Sequence, residues 1–138
     1  MKAVSRKRFA GLAVALATAG VVMAGTAPAS ATQKNGYLET WEFGLYYNSG
    51  LGGCVFDLDW DTTDFTGYTF TGPAGCSGRG YKTNDNTASY NNNDAVSWKV
   101  ATDKDCDGNV GTLPKQYTGN ASATFKNAIS SAYPIACG

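Results

Sequence analysis

Asp103, Asp105 and Asp107 alternate along the chain and run into Gly108, Asn109 and Val110. Carboxylates at alternate positions, a glycine at position six and an apolar residue at position eight make the opening of an EF-hand-type loop. Hard oxygen donors of this kind suit calcium. Pro114 stands where the twelfth-position glutamate belongs, and no helical pattern flanks the loop. The same residues also read as an Asp-Gly hairpin turn with solvated carboxylates. A second acidic run, Asp57, Asp59 and Asp61, has the period of a strand. That period sets the carboxylates on one face and Phe56, Leu58 and Trp60 on the other. Paired carboxylates serve glycoside hydrolysis, yet charges on a solvent-facing edge that discourage strand pairing account for the whole pattern. The chain has no His, and no Ser or Cys sits in a recognisable nucleophile setting, so no enzymatic activity is expected. Trp41, Trp60, Tyr37, Tyr46, Tyr47 and Tyr90 exceed the needs of a small core and point to a sugar- or peptide-binding face.

The elements that must position these groups lie after a leader. Lys2, Arg6, Lys7 and Arg8 precede an apolar run from Phe9 to Ala24, and Ala29-Ser30-Ala31 is a small-residue cleavage site. Residues 1–31 thus read as a secretory signal peptide and 32–138 as one extracellular domain, with no membrane segment after cleavage. Lys and Arg number 11 and Asp and Glu 11; the leader takes four basic residues, so residues 32–138 carry seven basic against eleven acidic groups, a net of −4. A mildly acidic surface argues against nucleic acid as a partner. Gly and Asn supply turns, Tyr, Thr and Phe suit strands, and no stretch has a helical period, so the fold class is all-β. Cys54, Cys76, Cys106 and Cys137 are expected as two disulfides in an exported chain. Three pairings are open; Cys54–Cys76 with Cys106–Cys137 is expected because each bridge stays within one half. Zinc is disfavoured, with no closely spaced Cys pair and no His.

The stretch Phe43 to Gly53 reads as a strand entering a glycine-rich hairpin. Tyr46, Leu51 and Gly53 resemble the βγ-crystallin Greek-key signature, aromatic-x-x-x-x-aromatic-x-Gly, with Leu in the second aromatic slot. Degenerate repeats cover about residues 37–91 and 95–133. Aligning Asp85 with Asn127 brings Ser89 onto Ser131, while the second hairpin, Asp103 to Asn109, lacks the aromatic-and-glycine spacing. Two Greek keys packed as a sandwich would bury Val55 or Phe56, Tyr68, Phe70, Val96, Trp98, Val100 and Phe125.

Three segments extend the resemblance. They are Asn35-Gly36 with Glu42 to Ser49, the Gly78-x-Gly80-x-Lys82-x-Asn84-x-Asn86-x-Ala88-Ser89-x-Asn91 run, and Phe125-Lys126-Asn127 with Ser130 or Ser131. In order and spacing the chain is similar to the βγ-crystallin-like peptidase-inhibitor family of secreted actinobacterial proteins, of the Streptomyces metalloproteinase-inhibitor type. Leu38 and Gly44 stand where family members often carry a Cys pair. The resemblance implies a disulfide-stabilised βγ-crystallin-like sandwich and a secreted, monomeric inhibitor of an extracellular metalloprotease. Cys54, Val55 and Phe56 are the expected protease contact, with the Gly72–Gly80 loop as the other candidate. The alternative is a non-inhibitory binding or structural module stabilised by calcium. No cofactor is required. Crystallin-type repeats bind calcium through Asn/Asp-Asn/Asp-x-x-Ser/Thr-Ser, which here implies one shared site of Asp85, Asn86 and Ser130. The other copy has Lys126 at a ligand position. The competing reading is that these side chains only cap turns.

Overall fold

The computed structural model describes residues 33–137. The expected signal segment lies outside them. Among the described residues no helix is long and apolar enough to cross a membrane.

Seven short strands carry the described residues. They are β1 (Phe43–Asn48), β2 (Gly52–Leu58), β3 (Ser89–Asn92), β4 (Trp98–Ala101), β5 (Val110–Leu113), β6 (Thr118–Asn120) and β7 (Ser131–Pro134). A single 3-10 turn at Lys104–Cys106 is the one helical element among them. One sheet has the order β2-β1-β3-β6 and the other β5-β4-β7, and every pairing is antiparallel. This is the all-β, two-Greek-key sandwich expected from the residues.

The halves exchange strands. β6 follows β5 in sequence but pairs with β3 of the first half. In return Thr62 pairs with Ala132 of β7, its N–H donating to the Ala132 carbonyl at 2.8 Å and its carbonyl accepting from Ala132 at 3.0 Å. Phe43 of one sheet stacks on Trp98 of the other, with centroids 4.9 Å apart and rings 18° from parallel. Around that pair the core gathers Leu45, Phe56, Leu58, Phe65, Phe70, Val100, Leu113 and Ile129. Cys54 bonds to Cys76 and Cys106 to Cys137.

The structure alters five expectations about burial. Val55 and Phe56 are both buried, not one or the other. Tyr68 is largely exposed, and Val96 and Phe125 only border the core. The alternation of Asp57, Asp59 and Asp61 does not survive the end of β2 at Leu58. Asp57 is sealed inside, accepting from Gly36 N–H at 2.7 Å and Asn35 N–H at 3.0 Å, while Trp60 points outward. The pleat holds through Leu58, with Phe56 and Leu58 in the core; Asp57 lies on the opposite face, where its carboxylate pins the segment before β1 to the sheet. Glu42 is also buried, with Oε2 accepting from Glu39 N–H at 2.8 Å and Oε1 lacking a partner. Burial pushes its carboxyl up to about 7 and raises Asp57 as well.

Candidate functional site

The two hairpins share one backbone. In the first, Gly50, Leu51 and Gly53 have left-handed φ values of 69°, 58° and 74°; in the second, Asp105, Cys106 and Gly108 have 58°, 63° and 79°. The glycine is needed in both. A Cβ at Gly53 would come within 2.8 Å of the Ser77 carbonyl, and one at Gly108 within 2.7 Å of the Asp103 carboxylate. The second hairpin is therefore not eroded in conformation. It has lost only its aromatics, with Ala101 and Thr102 standing where Tyr46 and Tyr47 stand in the first. Tyr47, not Tyr46, is the ring that covers Gly78 and packs on Phe70 and Tyr81.

A serine clamps each hairpin. Ser89 Oγ donates to the Asn48 carbonyl at 2.6 Å and accepts from Leu51 N–H at 3.0 Å. Ser131 Oγ donates to the Asp103 carbonyl at 2.7 Å and accepts from Cys106 N–H at 3.2 Å. The preceding turns cross reciprocally. Asp85, at φ 61°, donates from its N–H to the Ile129 carbonyl at 3.0 Å, and Asn127, at φ 54°, to the Thr87 carbonyl at 2.8 Å. The alignment of Asp85 with Asn127 and of Ser89 with Ser131 thus describes equivalent positions in space.

Two clefts follow from this pseudo-symmetry. The first, of about 630 Å³, is walled by Asn84, Asp103, Lys104, Asp105, Asp107 and Ser130. The second, of about 240 Å³, is walled by Tyr47, Asn48, Ser49, Asn86, Lys126 and Asn127. The separate calcium candidates are redistributed. Asp85 and Ser130 meet, with Ser130 Oγ donating to Asp85 Oδ1 at 3.2 Å, and Ser130 lies in the same cleft as the Asp103–Asp107 loop. Asn86 does not join them. It faces the other cleft, and its amide donates to the Lys82 carbonyl at 2.8 Å. Among the described residues no three acidic side chains converge closely enough to hold a metal ion. The first cleft has the hard-oxygen chemistry calcium takes, spread over a loop that Lys104 partly neutralises. The second has an ammonium and no carboxylate.

No family model matches the chain, and no curated protein does. A solved structure described as "Evolution of the eye lens beta-gamma-crystallin domain fold" is similar to it with a TM-score of 0.55 and 20% identity, over 72% of this chain and 88% of that one. The fold is that of a βγ-crystallin domain. The βγ-crystallin arrangement explains why the two clefts are related: each forms where a hairpin of one half meets the turn of the other.

Cys54, Val55 and Phe56, the expected protease contact, are buried in β2 with exposures of 0%, 2% and 2%. No partner reaches them without unfolding the sheet, so that expectation is corrected. Alternating sequence cannot show this, because Gly72 and Ser77 pair along the edge of β2 while Asn35, Gly36 and Leu38 cover its outer face beside Asp57 and Val55. Val55 N–H donates to the Gly72 carbonyl at 3.0 Å and Cys54 N–H to the Ser77 carbonyl at 2.9 Å. What the fold presents instead is the segment along that edge. Pro73, Ala74, Gly75, Ser77, Arg79, Tyr81 and Lys82 are exposed, and Cys76 ties them to the core.

Proposed function

We propose that this chain is an extracellular binding module that works through the clamped 73–82 loop, and that the loop inhibits a secreted metalloprotease. The observation that carries the reading is the bracing of an exposed loop. Besides the Cys54–Cys76 bond, Phe70 N–H donates to the Tyr81 carbonyl at 3.0 Å and Gly80 N–H to the Phe70 carbonyl at 2.8 Å. The Tyr47 ring fills the space that a side chain at Gly78 would need. A loop already held in one conformation loses little entropy when it enters a cleft. Tyr81 and Arg79 are the large exposed side chains it offers, of the kinds that dominate contact energies. The test is titration of the protein against thermolysin-like, subtilisin-like and trypsin-like enzymes. Inhibition of the metalloprotease is expected, weakened about tenfold or more by Arg79→Ala at an unchanged melting temperature. A folded protein that inhibits none of them at micromolar concentration leaves a binding module without protease specificity.

The acid–base contrast between the paired clefts favours a second reading, a module stabilised by calcium at the first cleft alone. Asn84, Ser130 and the Asp103–Asp107 loop line that cleft, and the three carboxylates, which do not converge in the described residues, would have to close on the ion. Calcium, and not magnesium, should then raise the melting temperature, and Asp105→Asn should abolish the rise. Identical melts in calcium and in chelator overturn it.

A further inference from the structure

A third cleft, of about 510 Å³, opens where the chain leaving β2, the β3–β4 connection and the chain leaving β7 come together. Its character differs from that of the other two. Trp60, Val96 and Ile135 form an apolar wall, with Trp60 68% and Ile135 73% exposed. Asp59, Asp61 and Asp94 stand around that wall. Asp94 is fixed in place, its Oδ2 accepting from Trp98 Nε1 at 2.8 Å and its Oδ1 from Ala95 N–H at 2.6 Å. Asp59 Oδ1 is sealed from solvent and has no hydrogen-bond partner. Lys34 is a resident cation in the field of Asp59, Asp57 and Asp61, and its ammonium also donates to Gln33 Oε1 at 2.6 Å and sits 5.2 Å from the Tyr68 ring centre.

These features select a ligand by charge and shape together. An apolar ligand would strip the remaining water from the acidic rim and return nothing. A metal ion would find an indole and aliphatic carbons, and no converging acidic triad is present among the described residues. A guanidinium matches the groups the cleft exposes. Its planar face stacks on an indole, its forked N–H groups pair with carboxylates, and its methylene stem lies along apolar side chains. We propose that this cleft receives an arginine side chain carried by a partner polypeptide, with Trp60 as the stacking surface and Asp59 and Asp61 as the charge partners. The site shares no residue with the 73–82 loop and does not depend on protease inhibition.

The experiment is a titration of the 15N-labelled protein with acetyl-Gly-Arg-Arg-Gly-amide, followed by amide and indole shifts and by Trp60 fluorescence. Lysine and citrulline peptides of the same length are the comparisons. Saturable shifts at Trp60, Asp61 and Ile135 are expected with the arginine peptide. Trp60→Ala, a change at a surface position, should weaken binding about tenfold or more at an unchanged melting temperature, and Asp59→Asn should do likewise. An equal response to citrulline shows that charge is not read. An equal response to lysine shows that the planar fork is not read. Shifts elsewhere, or concentration-dependent self-association that covers Trp60 without peptide, show that the cleft has another occupant. Each of these results overturns the proposal.

Discussion

Ser89 and Ser131 each hold a hairpin by donating one hydrogen bond and accepting another, at sites that are sealed from water. Removing either hydroxyl strands a carbonyl and an amide, so Ser89→Ala and Ser131→Ala should each cost about 1–3 kcal/mol in denaturant melts. Near-zero cost at both would show that the clamps are redundant with the strand ladders. Glu42 belongs to the same scale. Its carboxyl titrates near 7 in the fold against an ordinary value of 4.5, so the folded state binds the proton more tightly than the unfolded chain. Stability from this group is therefore highest below the ordinary value, falls as pH rises between the two values, and levels off above about 7. Asp57, also raised by burial, acts in the same direction. The melting temperature should drop between pH 5 and pH 8, and Glu42→Gln should flatten the drop. A melting temperature that climbs through this window contradicts the assignment.

The elements most exposed to failure are those the disulfides tie down. Cys54–Cys76 closes a sequence separation of 22 and fixes the 73–82 loop on β2; Cys106–Cys137 closes 31 and fixes the chain end beyond β7 to the second hairpin. Loops of this size correspond to about 3 kcal/mol of restriction on the unfolded state. Cys54→Ser with Cys76→Ser should lose about that much stability. It should also raise hydrogen exchange in the 73–82 loop more than elsewhere. Uniform exchange across the sandwich would mean that the loop is held by β2 alone.

The whole molecule depends on the exchange of strands between its halves. β6 completes the first sheet, Thr62 reaches β7, and Phe43 and Trp98 stack between the sheets. A fragment of residues 32–95 should therefore show no dispersed amide spectrum, and Trp98→Ala should destabilise the intact chain by about 3–5 kcal/mol. A folded half would refute this interlocking. The sequence alone determined the class and the repeat. Its Tyr, Thr, Gly and Asn content excluded helices, its cysteines divided between two halves, and the match of Asp85-x-x-x-Ser89 to Asn127-x-x-x-Ser131 located two equivalent turns. Those signals are local, carried by residues within one turn or strand. Tertiary structure decided which faces are buried and which residues share a cleft. Cys54 and Phe56 face the core, and Val55 is hidden because segments from either side of β2 in the chain close its outer face and its edge. Asp57 is buried on the outer face of β2 because the segment before β1 covers it and backbone amides there solvate it. The equivalence of Gly108 with Gly53 is not legible along the chain, because the left-handed path they share recurs without the aromatics that mark it in the first hairpin. Ser130 meets the Asp103–Asp107 loop, and Trp60 meets Asp94 and Ile135, only where separate strands end side by side. No spacing along the chain encodes those meetings, because they arise from how two sheets pack.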